Sequence, residues 1–359
     1  MNSERNDYPP SGFPSNEAPG GPARNVPPYS PYPSYPPRRR FSGWRILWGV
    51  LFGLSVLANI GLFLLLLGVV GAFLISGAGK FYDEIVLRDG PRSSRIAVIS
   101  VEGIIDESQA QAVYRQLKTA REDSSIKGII VRVNSPGGTI AASDRIYHQI
   151  ADYRQNENQP AVAFMQGMAT SGGYYASVAC DEIVAEPTAI TGSIGVIMAH
   201  FVFRDLLENK LGVQPVFLTK GQKKDWPSSF RTPTDEELAY IDERLLEPAY
   251  QRFVHVVQEG RREKLSPDEV LKLADGSIYV ADEAKAVELI DQTGYLDEAI
   301  AAVKARAGID KAQVIEYRSP LSFLNLLTAQ SRKAGLLQLD RSKLFELGTP
   351  QVLYLWNAY

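Results

Sequence analysis

Between Ile46 and Gly79 the chain carries no charged residue. A helix crosses the hydrocarbon core of a bilayer with about 20 apolar residues, and in lipid its backbone groups must all be bonded within the segment. This stretch exceeds that length and leaves room for tilt. A removable secretory leader has a shorter apolar core and begins at the very N-terminus. Ser76-Gly77-Ala78 does offer small residues of the cleavage-site kind, so removal stays an alternative to anchoring. The expectation is one transmembrane helix over 44–78. Arg38-Arg39-Arg40 and Arg45 crowd its N-terminal edge, whereas Lys80, Arg88, Arg92 and Arg95 are spread out beyond it. That bias favours a cytoplasmic N-terminus with the bulk of the chain outside the cell membrane, since long domains translocate despite their charges.

The segment ahead of the helix reads differently. Of the chain's 22 prolines, 11 fall in the first 40 residues, with pairs such as Pro9-Pro10, Pro27-Pro28 and Pro36-Pro37. Such composition favours extended, solvated backbone and has too few aliphatic side chains to offset ordering entropy. Residues 1–43 are expected to be a disordered Pro/Tyr-rich cytoplasmic tail, with a ligand for a proline-binding module as the alternative. The net charge of -3 argues against nucleic acid as a partner. Cys180 is the only cysteine, and His148, His200 and His255 lack ligand spacing, so neither a disulfide framework nor a metal or other cofactor is expected.

After a polar neck over 79–94, apolar β-branched runs alternate with helical patterns. Ile96–Val101, Ile129–Val133, Ala161–Met165 and Ile183–Ala185 read as strands. Val113, Leu117 and Ala120 recur at helical spacing, as do Ile146, Ile150 and Tyr153. Continuous apolar strands separated by helices predict a mostly parallel sheet covered on both faces, an α/β domain over 95–318. Val213–Leu218 reads as an edge strand because of Pro215. Thr234 with Glu237 predicts a capped helix running to about Glu259, with Leu238, Ile241, Leu245 and Leu246 on its core face and Pro248 kinking or splitting it. Ser266-Pro267-Asp268-Glu269 opens another helix, and two more follow over 281–289 and 296–305. In the C-terminal tail, 319–359, the run Val352-Leu353-Tyr354-Leu355-Trp356 is too apolar for a free end in water, so it must dock on this chain or a partner.

Three stretches carry residues suited to chemistry. Gly167-Met168-Ala169-Thr170-Ser171-Gly172-Gly173-Tyr174-Tyr175 follows a strand and opens a helix, with a serine at the junction. Amides at a helix start favour a developing negative charge, as acyl transfer needs; a plain N-cap role for Ser171 fits as well. Asn134-Ser135-Pro136-Gly137-Gly138 follows the strand ending at Val133. Loops at strand C-termini of a parallel sheet gather at one edge, so amides of Gly137 or Gly138 can reach an oxyanion beside Ser171. A simple strand-to-helix turn is the alternative. Lys223-Lys224 supplies a candidate base, because a desolvated lysine loses its charge readily; most lysines are instead surface charges.

These motifs, with Thr191-Gly192-Ser193-Ile194-Gly195-Val196, Gly221-Gln222-Lys223-Lys224-Asp225 and Ala274-Asp275-Gly276, resemble in order and spacing the signal peptide peptidase A (protease IV) family of membrane-bound serine proteases. The resemblance covers about residues 90–305; Asn-Ser-Pro-Gly-Gly alone also occurs in Clp-type proteases. It implies a ClpP/crotonase-like α/β fold and a Ser/Lys dyad without cofactor. By resemblance Ser171 is the nucleophile, Lys224 the general base, Ser193 the hydroxyl orienting the lysine, and Gly138 and Gly172 the oxyanion donors. Lys223 is the alternative base, since the segment after Ser193 looks one residue longer than expected. The substrates implied are signal-peptide remnants and other apolar peptides, with a taste for small apolar side chains. The single copy of the catalytic unit implies a homo-oligomeric ring, its dyad drawn from one subunit or from two neighbours. A crotonase-like acyl-CoA enzyme and a catalytically inactive membrane scaffold that binds peptides are the alternatives.

Overall fold

The computed structural model describes residues 43–77, 82–318 and 351–356. The tail expected over 1–43 lies outside these apart from Gly43, as do residues 319–350. Two units are distinguished, the first ending at Ala72. Its helix α1 (Gly43–Gly77) has 35 residues, about 52 Å at the α-helical rise and more than the ~30 Å of a bilayer core. Residues Gly43–Gly71 have a mean hydropathy of 2.5. Apolar side chains are exposed on every face of it, and the Trp44 and Trp48 rings meet edge-on at its N-terminal end, 6.2 Å apart.

The second unit alternates strands and helices. β1 (Asp83–Arg88) and β2 (Arg95–Ile105) precede α2 (Glu107–Glu122), and β3 (Ile126–Thr139) precedes α3 (Ile140–Glu157). β4 (Ala161–Thr170) leads through Ser171 into the short α4 (Gly172–Ser177), followed by β5 (Glu182–Ala185), β6 (Ile190–Gly192) and β7 (Ile197–Ala199). Next come α5 (Asp235–Ile241), a π-helical turn and α6 (Glu247–Arg261), then α7 (Pro267–Leu273), β8 (Ile278–Val280) and α8 (Ala281–Ala286). β9 (Gln292–Thr293), α9 (Leu296–Ala307), β10 (Gln313–Arg318) and β11 (Gln351–Leu355) end the described chain.

The main sheet runs β1-β10-β2-β3-β4-β5-β9, parallel throughout except for β1 against β10. Both faces are buried, and residues alternate between them with the period of two that pleating imposes. Ile96, Val98, Ile130, Val162 and Phe164 pack with Ala299 and Val303 of α9. Ala97, Ile99, Ile129, Val131 and Met165 face the larger core with Val113, Ile146, Tyr174 and Phe253.

Three expectations need correction. Val213–Leu218 forms no strand; Val216 and Leu218 are 80% and 96% exposed, because a run interrupted by Pro215 finds no neighbouring strand among the described residues. In the capped helix only Ile241 of the four expected residues is fully buried. Leu238 and Leu245 stand in solvent, and the packed face begins at Phe253. At Pro248 the helix does not break. The turn Asp242–Leu246 is π-helical, and Pro248 falls at the start of α6, where its missing N–H is tolerated.

The lysine-bearing turn is tied to this helix through one arginine. Arg231 donates to both oxygens of Glu237, each at 2.5 Å, and to Asp225 at 3.4 Å. Glu237 also accepts from the Thr234 amide, closing the capping box. The Arg231 guanidinium holds the Glu237 carboxyl at about 2 against an ordinary 4.5. A lowered folded-state value contributes stability above the unfolded value and loses it as pH falls through the folded one. The stability gap between wild type and Glu237→Gln is therefore expected to be widest at neutral pH and to close between pH 4.5 and about 2. Urea unfolding of the full chain in detergent at stepped pH reads this; a gap independent of pH would refute the clamp.

Candidate active site

β4 changes neighbours along its length. Val162–Met165 pair with β5, whereas Met168–Thr170 pair with β6, Thr170 opposite Gly192. The next amide, Ser171 N–H, donates to Gly192 O at 2.8 Å. Ser171 and Ser193 thus each stand one residue past a paired position on adjacent parallel strands. Both adopt positive φ, +52° and +53°, a region unfavourable for any side chain but glycine. They are 1% and 8% exposed. Holding Ser171 there costs about 1–3 kcal/mol, the kind of strained strand-to-helix turn that presents a nucleophile. Ser171 occupies the N-cap position of α4 yet makes no capping bond with its side chain. The N-cap reading is not realised.

Asn134–Gly138 is not a loop. It is the bulged end of β3, with Ser135 opposite Ala169 of β4, and Gly137 and Gly138 opposite Ile104 and Ile105 of β2. Ser135 fastens the bulge: its Oγ donates to Gly103 O at 2.6 Å and accepts from Gly137 N at 3.0 Å. Gly137 has φ of +102°, and a Cβ there would sit 2.8 Å from Gly172 N. A Cβ on Gly173 would meet Ser135 O at 3.0 Å. The glycines let the end of β3 lie directly against the backbone that follows Ser171.

The run Val352–Trp356 docks on this same edge. β11 pairs antiparallel with Gly137–Thr139 on one side and with Ile197–Ala199 on the other, and Trp356 N donates to Pro136 O at 2.9 Å. Its apolar character signalled docking, with a neighbouring subunit or the substrate groove as the places expected for it.

The lysines are not joined to the serines. Lys224 is exposed in a turn closed by its own N–H to Gly221 O at 3.1 Å, and no hydrogen bond or ion pair engages its amine among the described residues. Lys223 is occupied: its Nζ lies 4.0 Å from the Tyr240 ring centroid and 4.6 Å from that of Trp226. Cys180 is buried, which pushes its thiol up and keeps it protonated.

Gly137→Ala tests the close approach. The substitution strains a positive-φ residue and places a Cβ 2.0 Å from Tyr354 O and 2.8 Å from Gly172 N. It is expected to lower the unfolding free energy by about 1–3 kcal/mol. Wild-type stability in detergent unfolding would show that the backbones are not held together as described.

Comparison with known proteins places the chain in a family. The profile of peptidase family S49 matches residues 153–310, and that of Clp protease matches residues 92–189. A protein of Enterococcus faecium assigned as signal peptide peptidase SppA is 36% identical over 254 residues, 68% of this chain and 72% of its own length. Protease 4 of Haemophilus influenzae is 35% identical over 214 residues, 58% of this chain and 34% of its own length. The chloroplastic serine protease SPPA of Arabidopsis thaliana is 32% identical over 218 residues, 60% of this chain and 32% of its own length. The chain belongs to peptidase family S49 and is a serine peptidase built on a Clp-protease-like α/β fold.

Proposed function

We propose that this chain is a single-pass membrane serine endopeptidase that uses a Ser/Lys dyad to degrade signal-peptide remnants and other apolar peptides through an acyl-enzyme. The observation that carries this reading is the Ser171 turn: strained backbone, no capping bond, and the glycines of the β3 end packed against it. Neutral Lys224 takes the Ser171 proton, Ser171 Oγ attacks the peptide carbonyl, and the amides of Gly138 and Gly172 hold the oxyanion. The lysine then protonates the leaving amine and activates the water that releases the acyl group. Ser193, beside Ser171 across the β4–β6 pair, orients the amine.

Between the two lysines, the aromatic contacts of Lys223 favour Lys224 as the base. Lys224 stands free in the single chain, which favours a homo-oligomeric ring where one subunit's lysine serves another's serine. Exposed Val216, Phe217 and Leu218, just ahead of the lysine turn in the chain, supply apolar surface for that contact. Helix α1 is the membrane anchor, with lipid as its surroundings and the arginines Arg38–Arg40 and Arg45 on the cytoplasmic side. The E. faecium relative, assigned as a signal peptide peptidase, supports signal peptides as substrates.

Hydrolysis of an apolar fluorogenic peptide by the full chain in detergent tests this reading. Ser171→Ala and Lys224→Ala are expected to abolish turnover, and Lys223→Ala to retain it. Removing a working Gly172 amide contact should cost on the order of 100-fold in kcat. Mixing Ser171→Ala with Lys224→Ala chains restores about a quarter of wild-type turnover if the dyad spans subunits of a ring, and none if it lies within one chain. Peptide binding that survives Ser171→Ala, with no turnover in the parent, would identify a scaffold instead.

A further inference from the structure

The Ala274-Asp275-Gly276 turn takes no part in the proposed chemistry, yet it lies against Ser193. β6 and β8 pair antiparallel, with Gly192 opposite Ile278. Past the end of that ladder two more backbone bonds form. Ser193 N–H donates to Ser277 O at 2.7 Å, and Gly276 N–H donates to Ile194 O at 3.1 Å. On the opposite edge Gly192 O accepts from Ser171 N–H at 2.8 Å. Residues 192–194 are therefore bracketed from both sides, by the Ser171 turn and by the turn over 274–277. The Ile194 side chain is wholly buried. What remains to the Ser193 hydroxyl is rotation about the Cα–Cβ bond.

The bracket works against strain. Ser193 has φ of +53°, a conformation that persists only where the surrounding bonds over-determine it. Each residue of the turn has a part in supplying those bonds. Ala274, which caps α7, is buried, and its carbonyl accepts from the Tyr250 hydroxyl of α6 at 2.9 Å. Gly276 has φ of +86°, a backbone region that suits glycine. Asp275 closes the turn on itself, its Oδ1 accepting from Ser277 N–H two residues on at 2.9 Å. The Ser277 hydroxyl and then its amide hold the Asp275 carboxyl below the ordinary carboxylate value, so it stays an ionised acceptor at neutral pH. Ser277 thus has its N–H tied by Asp275 while its carbonyl ties Ser193.

We infer that Asp275 is a positioning residue for Ser193: by fixing Ser277 it fixes the acceptor of the Ser193 N–H, and so aims the Ser193 hydroxyl at the amine of the base. The inference rests on the lysine-orienting role proposed for Ser193. Asp275 is exposed and acts through backbone alone. The turn needs an acceptor at the reach of an aspartate. Asparagine supplies the same acceptor without the charge, whereas glutamate keeps the charge and carries it one methylene too far.

The test uses the full chain in detergent and has two readouts. Hydrogen exchange of the amides over 190–195, followed by mass spectrometry, reports the bracket; kcat and KM on the apolar fluorogenic peptide report its use. Asp275→Ala is expected to speed that exchange and to lower kcat roughly tenfold, the worth of one hydrogen bond, with KM unchanged. Asp275→Asn is expected to match wild type in both readouts, and Asp275→Glu to follow Asp275→Ala. On a Ser193→Ala background Asp275→Ala is expected to cost no further turnover, since the two act through one hydroxyl. An equal loss with and without that hydroxyl overturns the inference, and so does unchanged exchange in Asp275→Ala. Asp275→Asn as slow as Asp275→Ala would overturn it too, by tracing the effect to charge. Faster exchange in Asp275→Ala, with full turnover in Ser193→Ala, supports the bracket and refutes the lysine-orienting role of Ser193. Should Asp275→Ala fail to fold, Asp275→Glu carries the comparison, and wild-type kcat and exchange in that variant sink the proposal.

Discussion

The short parallel pairing between β4 and β6 is the interaction on which the rest of the site depends. β4 begins as an interior strand beside β5 and ends beside β6, so its last residues take a different neighbour in the same sheet. The Ser171 N–H to Gly192 O bond closes that pairing, and the chain must then turn at once into α4. The turn has one residue in which to reverse, and Ser171 absorbs it with a positive φ. The same bond draws Gly192 and hence Ser193 to its side. Ser193 is fixed in turn by its N–H to Ser277 O, which brings in the β8 segment paired with β6. Two serines far apart in sequence become neighbours through backbone alone, before any side-chain contact is considered.

The second constraint is space. Backbone can lie on backbone at the end of β3 only where no Cβ intervenes: a Cβ on Gly137 would meet backbone atoms at 2.0 and 2.8 Å, one on Gly172 would strike Ser143 Oγ at 2.4 Å, and Gly173 leaves only a tight fit against Ser135 O. Ser135 supplies the complementary restraint, because its hydroxyl bonds both the facing strand and the bulge it belongs to. A rigid bulge with small residues leaves the outer edge of β3 open to pairing, and β11 uses that edge. Edge pairing and the aromatic pocket then act on the same residue: the strand fixes where the Tyr354 carbonyl goes, and Tyr175 and Phe253 fix where its ring goes.

Much of this was legible in the residues, for identifiable reasons. Strands buried on both faces announce themselves as unbroken apolar runs, and β2, β3, β4 and β5 fall where those runs do. Capping boxes located the starts of α5 and α7, because a side-chain acceptor three residues ahead of its donor is a local pattern. Short motifs with glycines located Ser171 and the β3 end for a similar reason: local backbone demands restrict local residue choice. What failed was non-local. Whether Val213–Leu218 pairs depends on a partner strand, and whether Leu238 or Leu245 is covered depends on what packs against the helix; neither appears in the segment itself. β1 and β10 pair with each other across more than two hundred residues, and β11 reaches back to β3 over a similar span. The asymmetry between Lys223 and Lys224 was likewise invisible, since it arises from Tyr240, one helix away.

The contrast between the serine side and the lysine side of the site carries a structural consequence. Ser171 and Ser193 follow the ends of β4 and β6, and the glycines lie at the end of β3 and the start of α4, buried and held by backbone bonds. Lys224 sits on a turn whose anchorage is the Arg231 clamp, next to a run of exposed apolar side chains. Leu218 at 96% exposure is an unfavourable arrangement for an isolated chain in water, by roughly the transfer cost of a leucine side chain, about 2 kcal/mol. Covering that run and removing the lysine from solvent are satisfied by the same event, the arrival of another surface. Under the Ser/Lys reading proposed above, such a division keeps the strained half inside one fold and leaves the proton acceptor to be set by contact.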